Sequence, residues 1–234
     1  MSPSEKNKFI SNWIKSYVDQ MPVKAQSLVI GISGGIDSSV SSTLSAMTGI
    51  KTIVLTMPIR QKNNQHDLSL KHQGWLIKNF KNVEAHTINL DKLFESFSST
   101  LEKFDNEHGY ANSRARLRMT TLYQVAAANK GIVVGTGNKV EDFGVGFYTK
   151  YGDGGVDISP IADCNKTEVW ELGKELGILK EIIDAPPTDG LWDDGRTDEG
   201  QLGFKYEDLE DAMNNPNSPH RQKYEKIRKQ NLHK

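Results

Sequence analysis

The segment Val29-Ile30-Gly31-Ile32-Ser33-Gly34-Gly35-Ile36-Asp37-Ser38-Ser39-Val40 fuses an apolar run, a glycine turn and a helix start, and its polar residues suit a nucleotide pyrophosphate. Gly34-Gly35 permits positive φ and close backbone approach, and a helix opening near Ile36 presents unpaired N–H groups and partial positive charge to an anion. Ser33, Ser38 and Ser39 can add hydroxyl donors. Asp37 is the odd member, because a carboxylate beside a phosphate repels it unless a divalent cation lies between them. Mg²⁺ is commonly held by one or two carboxylates plus phosphates, so Asp37 reads as a metal ligand, with simple helix capping as the plain alternative. No Gly-Lys-Ser/Thr follows at Walker A spacing, which excludes a P-loop.

Other polar stretches follow. In Asn112-Ser113-Arg114-Ala115-Arg116-Leu117-Arg118-Met119, helical spacing puts Ala115, Met119, Leu122 and Ala126 on an apolar face, Arg114 and Arg118 close together and Arg116 elsewhere. Composition alone reads these arginines as a solvated face. Val133 to Asp142 repeats the strand-to-glycine turn, with Thr136 able to donate to a nucleotide and Glu141 to supply a second metal carboxylate; taken alone it is an ordinary strand end. A generic glycine-rich loop would account for the flexibility of Phe147-Tyr148-Thr149-Lys150-Tyr151-Gly152-Asp153-Gly154-Gly155-Val156-Asp157 but not for its specific sequence Lys-Tyr-Gly-Asp-Gly-Gly followed by Asp157. Asn165-Lys166-Thr167-Glu168 reads as a capping box opening a helix, yet Lys166 in its first turn opposes the macrodipole by about 0.3–1 kcal/mol. An anion held between Lys166 and the helix end removes that conflict.

The first loop resembles the Ser-Gly-Gly-x-Asp-Ser loop of the ATP pyrophosphatase superfamily, whose members cleave ATP between the α and β phosphates. The later motifs, together with Thr197-Asp198-Glu199-Gly200-Gln201-Leu202-Gly203, resemble bacterial NAD synthetases, the family that amidates deamido-NAD. The resemblance implies ATP contacts at Gly31, Ser33, Gly34, Gly35, Asp37, Ser38, Ser39, Thr136, Lys166 and Thr188, with Mg²⁺ on Asp37 and Glu141. It implies deamido-NAD contacts at Arg116, Lys150, Asp157, His233 and Lys234. The nicotinate carboxylate would attack the α-phosphorus, pyrophosphate would leave, and ammonia would displace AMP. Lys166 would stabilise the leaving charge, and Asp153 could bind or deprotonate ammonium. Many members carry Asp-His where this chain has Gly137-Asn138, which leaves Asn138 without a role. A homodimer, with the dinucleotide near the subunit interface, is also implied.

The elements that must position these residues follow from periodicity. Strand-like runs at Ser27–Ile32, Lys51–Met57, Val83–Leu90 and Gly131–Gly135 alternate with helical stretches at Ile36–Met47, Asp67–Phe80, Asp91–Asp105 and Asn112–Asn129. This alternation predicts an α/β fold, a Rossmann-like parallel sheet flanked by helices on both faces, with one site beyond the carboxyl ends of its strands. Phe9, Ile10, Trp13, Ile14, Tyr17 and Val18 predict an amphipathic opening helix. Pro186-Pro187-Thr188-Asp189-Gly190-Leu191 and the run to Gly200 predict an irregular, mobile loop suited to covering an adenylate.

The 234 residues suit a single domain, and a formal charge of −1 gives no nucleic-acid footprint. That argues against a tRNA-modifying enzyme, and a non-catalytic nucleotide binder has no need of Glu141, Lys150 and Asp157. No apolar run approaches the ~18 residues of a membrane span. The lone Cys164 suits a reducing, cytoplasmic setting. A glutaminase domain has no room here, and Cys164 has no obvious histidine partner, so free or separately delivered ammonia is the expected nitrogen source.

Overall fold

Leu28, Val29 and Ile30 are fully buried although they point to alternate faces of their strand, so β1 (Ser27–Gly31) must be covered on both sides. The computed structural model describes residues 1–60, 63–188 and 197–234. In it β1 pairs in parallel with β2 (Lys51–Thr56) and β4 (Gly131–Val133), and β2 pairs in parallel with β3 (Val83–Thr87). The strand order is β3-β2-β1-β4. The chain leaves β1 toward β2 and returns to its other side as β4, so the carboxyl ends of β1 and β4 flank a switch point where α/β proteins bind ligands.

One face carries α1 (Pro3–Gln20), α2 (Ile36–Met47), α3 (Asn63–Asn79), α6 (Lys166–Glu175) and α7 (Lys180–Ile183), which pack around Leu28, Ile30 and Val54. The opposite face carries α4 (Asp91–Thr100) and α5 (Glu107–Ala128), whose Phe94, Met119, Leu122 and Ala126 meet Val29, Ile53 and Leu55. Burial of each such aliphatic side chain stabilises by about 1.5–3 kcal/mol. A third cluster forms where α8 (Asp198–Leu202), α9 (Tyr206–Asn214) and α10 (Arg221–Asn231) close over a wide π-helical turn, Val140–Val145.

The expected layers are present, with differences at the ends. The strand-like runs extend past the last paired residues, because Ile32, Met57, Leu90 and Gly135 already belong to the turns that form the ligand-facing edge. Helix α4 stops at Thr100 and a 3-10 turn, Glu102–Phe104, follows it; α5 starts at Glu107 because Asn106 Oδ1 accepts from Gly109 N at 2.7 Å. Of the aromatic-aliphatic face of α1, Ile10, Ile14 and Val18 are buried while Phe9, Trp13 and Tyr17 lie exposed. The irregular run expected to reach Gly200 ends sooner: Thr197 Oγ1 accepts from Gly200 N at 3.1 Å and opens α8. Residues 189–196 of that run lie outside the described residues. Among the described residues no helix is long and apolar enough to cross a membrane.

Candidate active site

After β1 the chain turns through Gly34, whose φ of 92° is open to glycine and strained for other residues, and enters α2 from an extended Gly35. Gly35 supplies no capping side chain, so the first N–H groups of α2 remain available to an anion. The serines shape this turn. Ser38 and Ser39 hydroxyls donate to Gly35 O at 3.0 and 2.9 Å, and Ser33 N donates to Ser38 Oγ at 3.2 Å. Ser39 is fully buried, and its hydroxyl holds the loop backbone at Gly35 O. Gly31 lies beside Met57 and Leu122, and a Cβ there would come within 3.3 Å of Met57 Cε.

Asp37, in the first turn of α2, faces Lys166, in the first turn of α6. The approach depends on Gly173, where a Cβ would lie 2.6 Å from Ile36 Cδ1, so α6 presses directly onto the start of α2. Lys6 Nζ binds Glu168 Oε1 at 2.6 Å and Asn165 N donates to Glu168 Oε2 at 2.8 Å, tying α6 to α1 and making the Glu168 half of the expected cap, while Asn165 Oδ1 is buried without a hydrogen bond. Lys166 Nζ then sits 2.5 Å from Asp37 Oδ2 and 3.0 Å from Glu141 Oε1. These carboxylates are the anions that remove the macrodipole conflict. Burial alone would lower the Lys166 pKa, but Asp37 and then Glu141 more than reverse this and hold it above the ordinary lysine value.

Glu141 projects from the π-helical turn that follows β4. Asn138 fixes it: its Oδ1 accepts from Val140 N and Glu141 N at 3.0 and 3.1 Å, and its Nδ2 donates to Asp37 Oδ1 at 3.0 Å. The residue left without a role by the sequence therefore joins the two carboxylate loops, and it is fully buried. Tyr206 was also missed. Its hydroxyl reaches Glu141 Oε1 at 2.7 Å and Asp198 Oδ2 at 3.2 Å, and Lys166 Nζ lies 4.7 Å above its ring. Thr136 is half-buried in the turn between β4 and Asn138, and Thr188 is half-buried at the edge of the undescribed stretch.

A second group of residues gathers on the adjacent flank. Arg116 Nε donates to Lys150 O at 3.1 Å, and Thr149 Oγ1 donates to Asn112 Oδ1 at 2.8 Å, so the 146–157 loop lies along α5. Asp153 Oδ1 accepts from Thr149 N at 3.0 Å. Asp157 accepts from Val133 N at 2.7 Å and from the Tyr123 hydroxyl at 3.1 Å, which anchors the loop to β4 and α5. Beside it a cavity of about 510 Å³ is lined by Met119, Thr120, Tyr123, Gln124, Tyr151 and Gly155. The C-terminal pair closes the other side: Lys234 Nζ donates to Gly146 O and Tyr148 O at 2.8 and 2.9 Å, and Lys150 Nζ donates to His233 O at 3.2 Å. All of the expected acceptor residues thus meet on one loop, one helix face and one tail.

Asp142 links the two groups. Burial, then the charges of Glu141, Asp153 and Asp37, push its carboxyl up to about 7. The pair Asp37 and Glu141 passes a simple test for a cation: the two carboxylates already share one bound positive charge, that of Lys166. Among the described residues no group of three or more His, Cys, Asp or Glu could hold a metal ion, so any cation here would rest on this pair of carboxylates alone among protein groups of those types.

The sequence model described as NAD synthase matches residues 7–234. An NH(3)-dependent NAD(+) synthetase from Carboxydothermus hydrogenoformans is 38% identical over 88% of this chain and 83% of its own. One of the same name from Finegoldia magna is 37% identical over 96% of this chain and 90% of its own. The solved NMN synthetase from Francisella tularensis superposes with a TM-score of 0.91 at 33% identity, covering 100% of this chain and 95% of its own. With a family match across almost the whole length, and with relatives that share most of it, the chain belongs to the NAD synthase family.

Proposed function

We propose that this protein is an ammonia-dependent NAD synthetase, amidating deamido-NAD at the expense of ATP to give NAD, AMP and pyrophosphate. The observation that carries this reading is the convergence of Asp37, Glu141 and Lys166 at the mouth of the serine-glycine loop, beside the Arg116, Lys150 and Asp157 flank. The N–H groups opening α2 and the turn at Ser33-Gly34-Gly35 suit the ATP phosphates, supported by Thr136 and Thr188, while Lys166 supplies a buried cation for the departing pyrophosphate. Asp37 and Glu141 would hold Mg²⁺, which when bound supplies charge neutralisation on the phosphates.

On the acceptor flank, Arg116 and Lys150 present positive charge to the acidic substrate, and Asp157, oriented by Tyr123, offers acceptors for its hydroxyls. The acceptor carboxylate attacks the α-phosphorus and pyrophosphate leaves; ammonia then attacks the activated carbonyl and AMP leaves. Asp153, exposed on the glycine loop, would take the proton that ammonium must lose. His233 and Lys234 act through the loop they pin as much as by direct contact. Residues 1–234 would form one domain, acting as a homodimer in the cytoplasm.

A second reading has a specific support, the likeness to the Francisella tularensis NMN synthetase along the whole chain. The same chemistry on nicotinate mononucleotide gives NMN. Incubation with ATP, Mg²⁺, ammonium and either acceptor separates them: NAD, AMP and pyrophosphate in equal amounts, with a higher kcat/KM on deamido-NAD, is the expected result. A higher kcat/KM on the mononucleotide moves the product to NMN. Release of ADP and phosphate, or no turnover on either acceptor, refutes the reading.

A further inference from the structure

Tyr206 opens α9 and is fully buried, packed among Val140, Val145, Leu202 and Leu209, with Trp170 edge-on at 6.0 Å. Packing alone gives no reason for its hydroxyl. Phenylalanine fills the same volume without taking a polar group out of water, which costs free energy unless the group is hydrogen-bonded. Here the hydroxyl is placed between two carboxylates, 2.7 Å from Glu141 Oε1 and 3.2 Å from Asp198 Oδ2, and its single proton cannot serve both equally. Among the described residues both contacts of the Glu141 carboxylate, from Tyr206 and from Lys166, fall on Oε1. Oε2 is thereby left for another ligand. The ring meanwhile backs the Lys166 ammonium at 4.7 Å, so one side chain supports both the second carboxylate and the cation that competes for it.

We propose that Tyr206 is a positioning residue for the metal: its hydroxyl fixes the Glu141 carboxylate so that a divalent cation can be shared with Asp37 once Lys166 is drawn to phosphate. This rests on the reading of Asp37 and Glu141 as the metal pair. Tyr206 touches neither nucleotide nor acceptor in this scheme. Partners that orient a ligating carboxylate typically change metal affinity by about 10- to 100-fold when removed.

The test is direct metal binding. Mn²⁺ is titrated into the protein with a non-cleavable α,β-methylene analogue of ATP, and free Mn²⁺ is read by electron paramagnetic resonance for the wild type, Asp37→Asn and Tyr206→Phe. The expected result is an Mn²⁺ Kd raised about 10- to 100-fold in Tyr206→Phe, with the ligand-free melting temperature close to that of the wild type. In a Glu141→Gln background the same Phe substitution should add less than about twofold, because the carboxylate it orients is already neutral. An unchanged Kd in Tyr206→Phe, with tight binding by the wild type and weak binding by Asp37→Asn, overturns the positioning role and leaves the metal pair standing. A further tenfold loss in the Glu141→Gln background also overturns it. If the wild type binds no Mn²⁺, or Asp37→Asn binds as well as the wild type, the metal pair itself falls and the proposal with it.

Discussion

Replacing Lys166 with methionine keeps the length and most of the volume of the side chain and removes its charge. The lysine is 3% exposed and its partners Asp37 and Glu141 are 17% and 15% exposed, so the change leaves two half-buried carboxylates facing one another across a gap of one cation. Removing one partner of a buried pair costs about 3–5 kcal/mol, and residual solvent around the two carboxylates brings this to about 2–4 kcal/mol here. For a chain of this size about 1 kcal/mol moves Tm by roughly 2–4 °C, so ligand-free Lys166→Met should melt roughly 5–15 °C below the wild type. Millimolar Mg²⁺ should reverse much of that loss, because a divalent ion can take the place of the missing ammonium. The wild type should gain less, since its own cation already fills the gap. Folding raises the Lys166 pKa, so its ammonium stays charged throughout the neutral range and its contribution is lost only as pH climbs past the usual 10.5; the deficit should be flat across neutral pH. Thermal unfolding followed by circular dichroism, with Mg²⁺ and with chelator, reads both arms. Turnover should fall by roughly 10²–10³ even where Mg²⁺ restores Tm. Equal melting of variant and wild type in chelator, or equal gains from Mg²⁺, refutes the argument.

Asp142→Asn tests the carboxyl between the two groups. Its pKa rises from the usual 3.8 to about 7 on folding, so the wild type is favoured below 3.8 and loses that advantage as pH climbs through 7. The variant should be more stable by about 1–3 kcal/mol at pH 8, after allowance for solvent screening, and no more stable than the wild type near pH 4, as read by denaturant unfolding. Gly146→Ala combines a φ of 67° with a Cβ 2.7 Å from Asn231 Cβ. It should lower stability by about 1–3 kcal/mol and raise acceptor KM more than ATP KM, because α10 must withdraw from the loop that Lys234 pins. Arg116→Lys keeps the charge but not the Nε donor to Lys150 O; acceptor KM should rise about tenfold with ATP KM unchanged in steady-state assays.

How far the sequence could be read depended on the range of the interaction. The starts of β1 and β2, the whole of α2 and the cap at Asn165 rest on neighbouring residues, and each falls where periodicity puts it. The strand ends did not, because a run such as Val83–Leu90 stays β-like past Thr87, and only the paired neighbour determines where the ladder stops. Lys166 was legible through its conflict with the helix dipole, although the anions that resolve it lie 129 and 25 residues away. Asn138 and Tyr206 were not. Nothing local in Gly137-Asn138 announces a bridge to Asp37, and Tyr206 fits the apolar spacing of α9 so well that its hydroxyl carries no signal until Glu141 is seen beside it. Residue type suggested Ser38 and Ser39 as donors to a ligand; the fold adds that both hydroxyls also donate to Gly35 O of their own turn.

The cluster of Asp37, Asn138, Glu141, Lys166 and Tyr206 also bears on the birth of the protein. Its first member is made early and its last only after most of the chain has been synthesised, so contacts of long sequence separation must form before the site exists. A nascent chain that has folded α2 against β1 already carries the glycine turn but lacks the lysine, the second carboxylate and the tyrosine that orients it. Domains emerging from the ribosome can fold progressively from the N-terminus, at about 5–20 residues per second, so roughly ten to thirty seconds pass between the synthesis of Asp37 and that of Tyr206. The buried cluster is thus among the last features of the chain to be assembled.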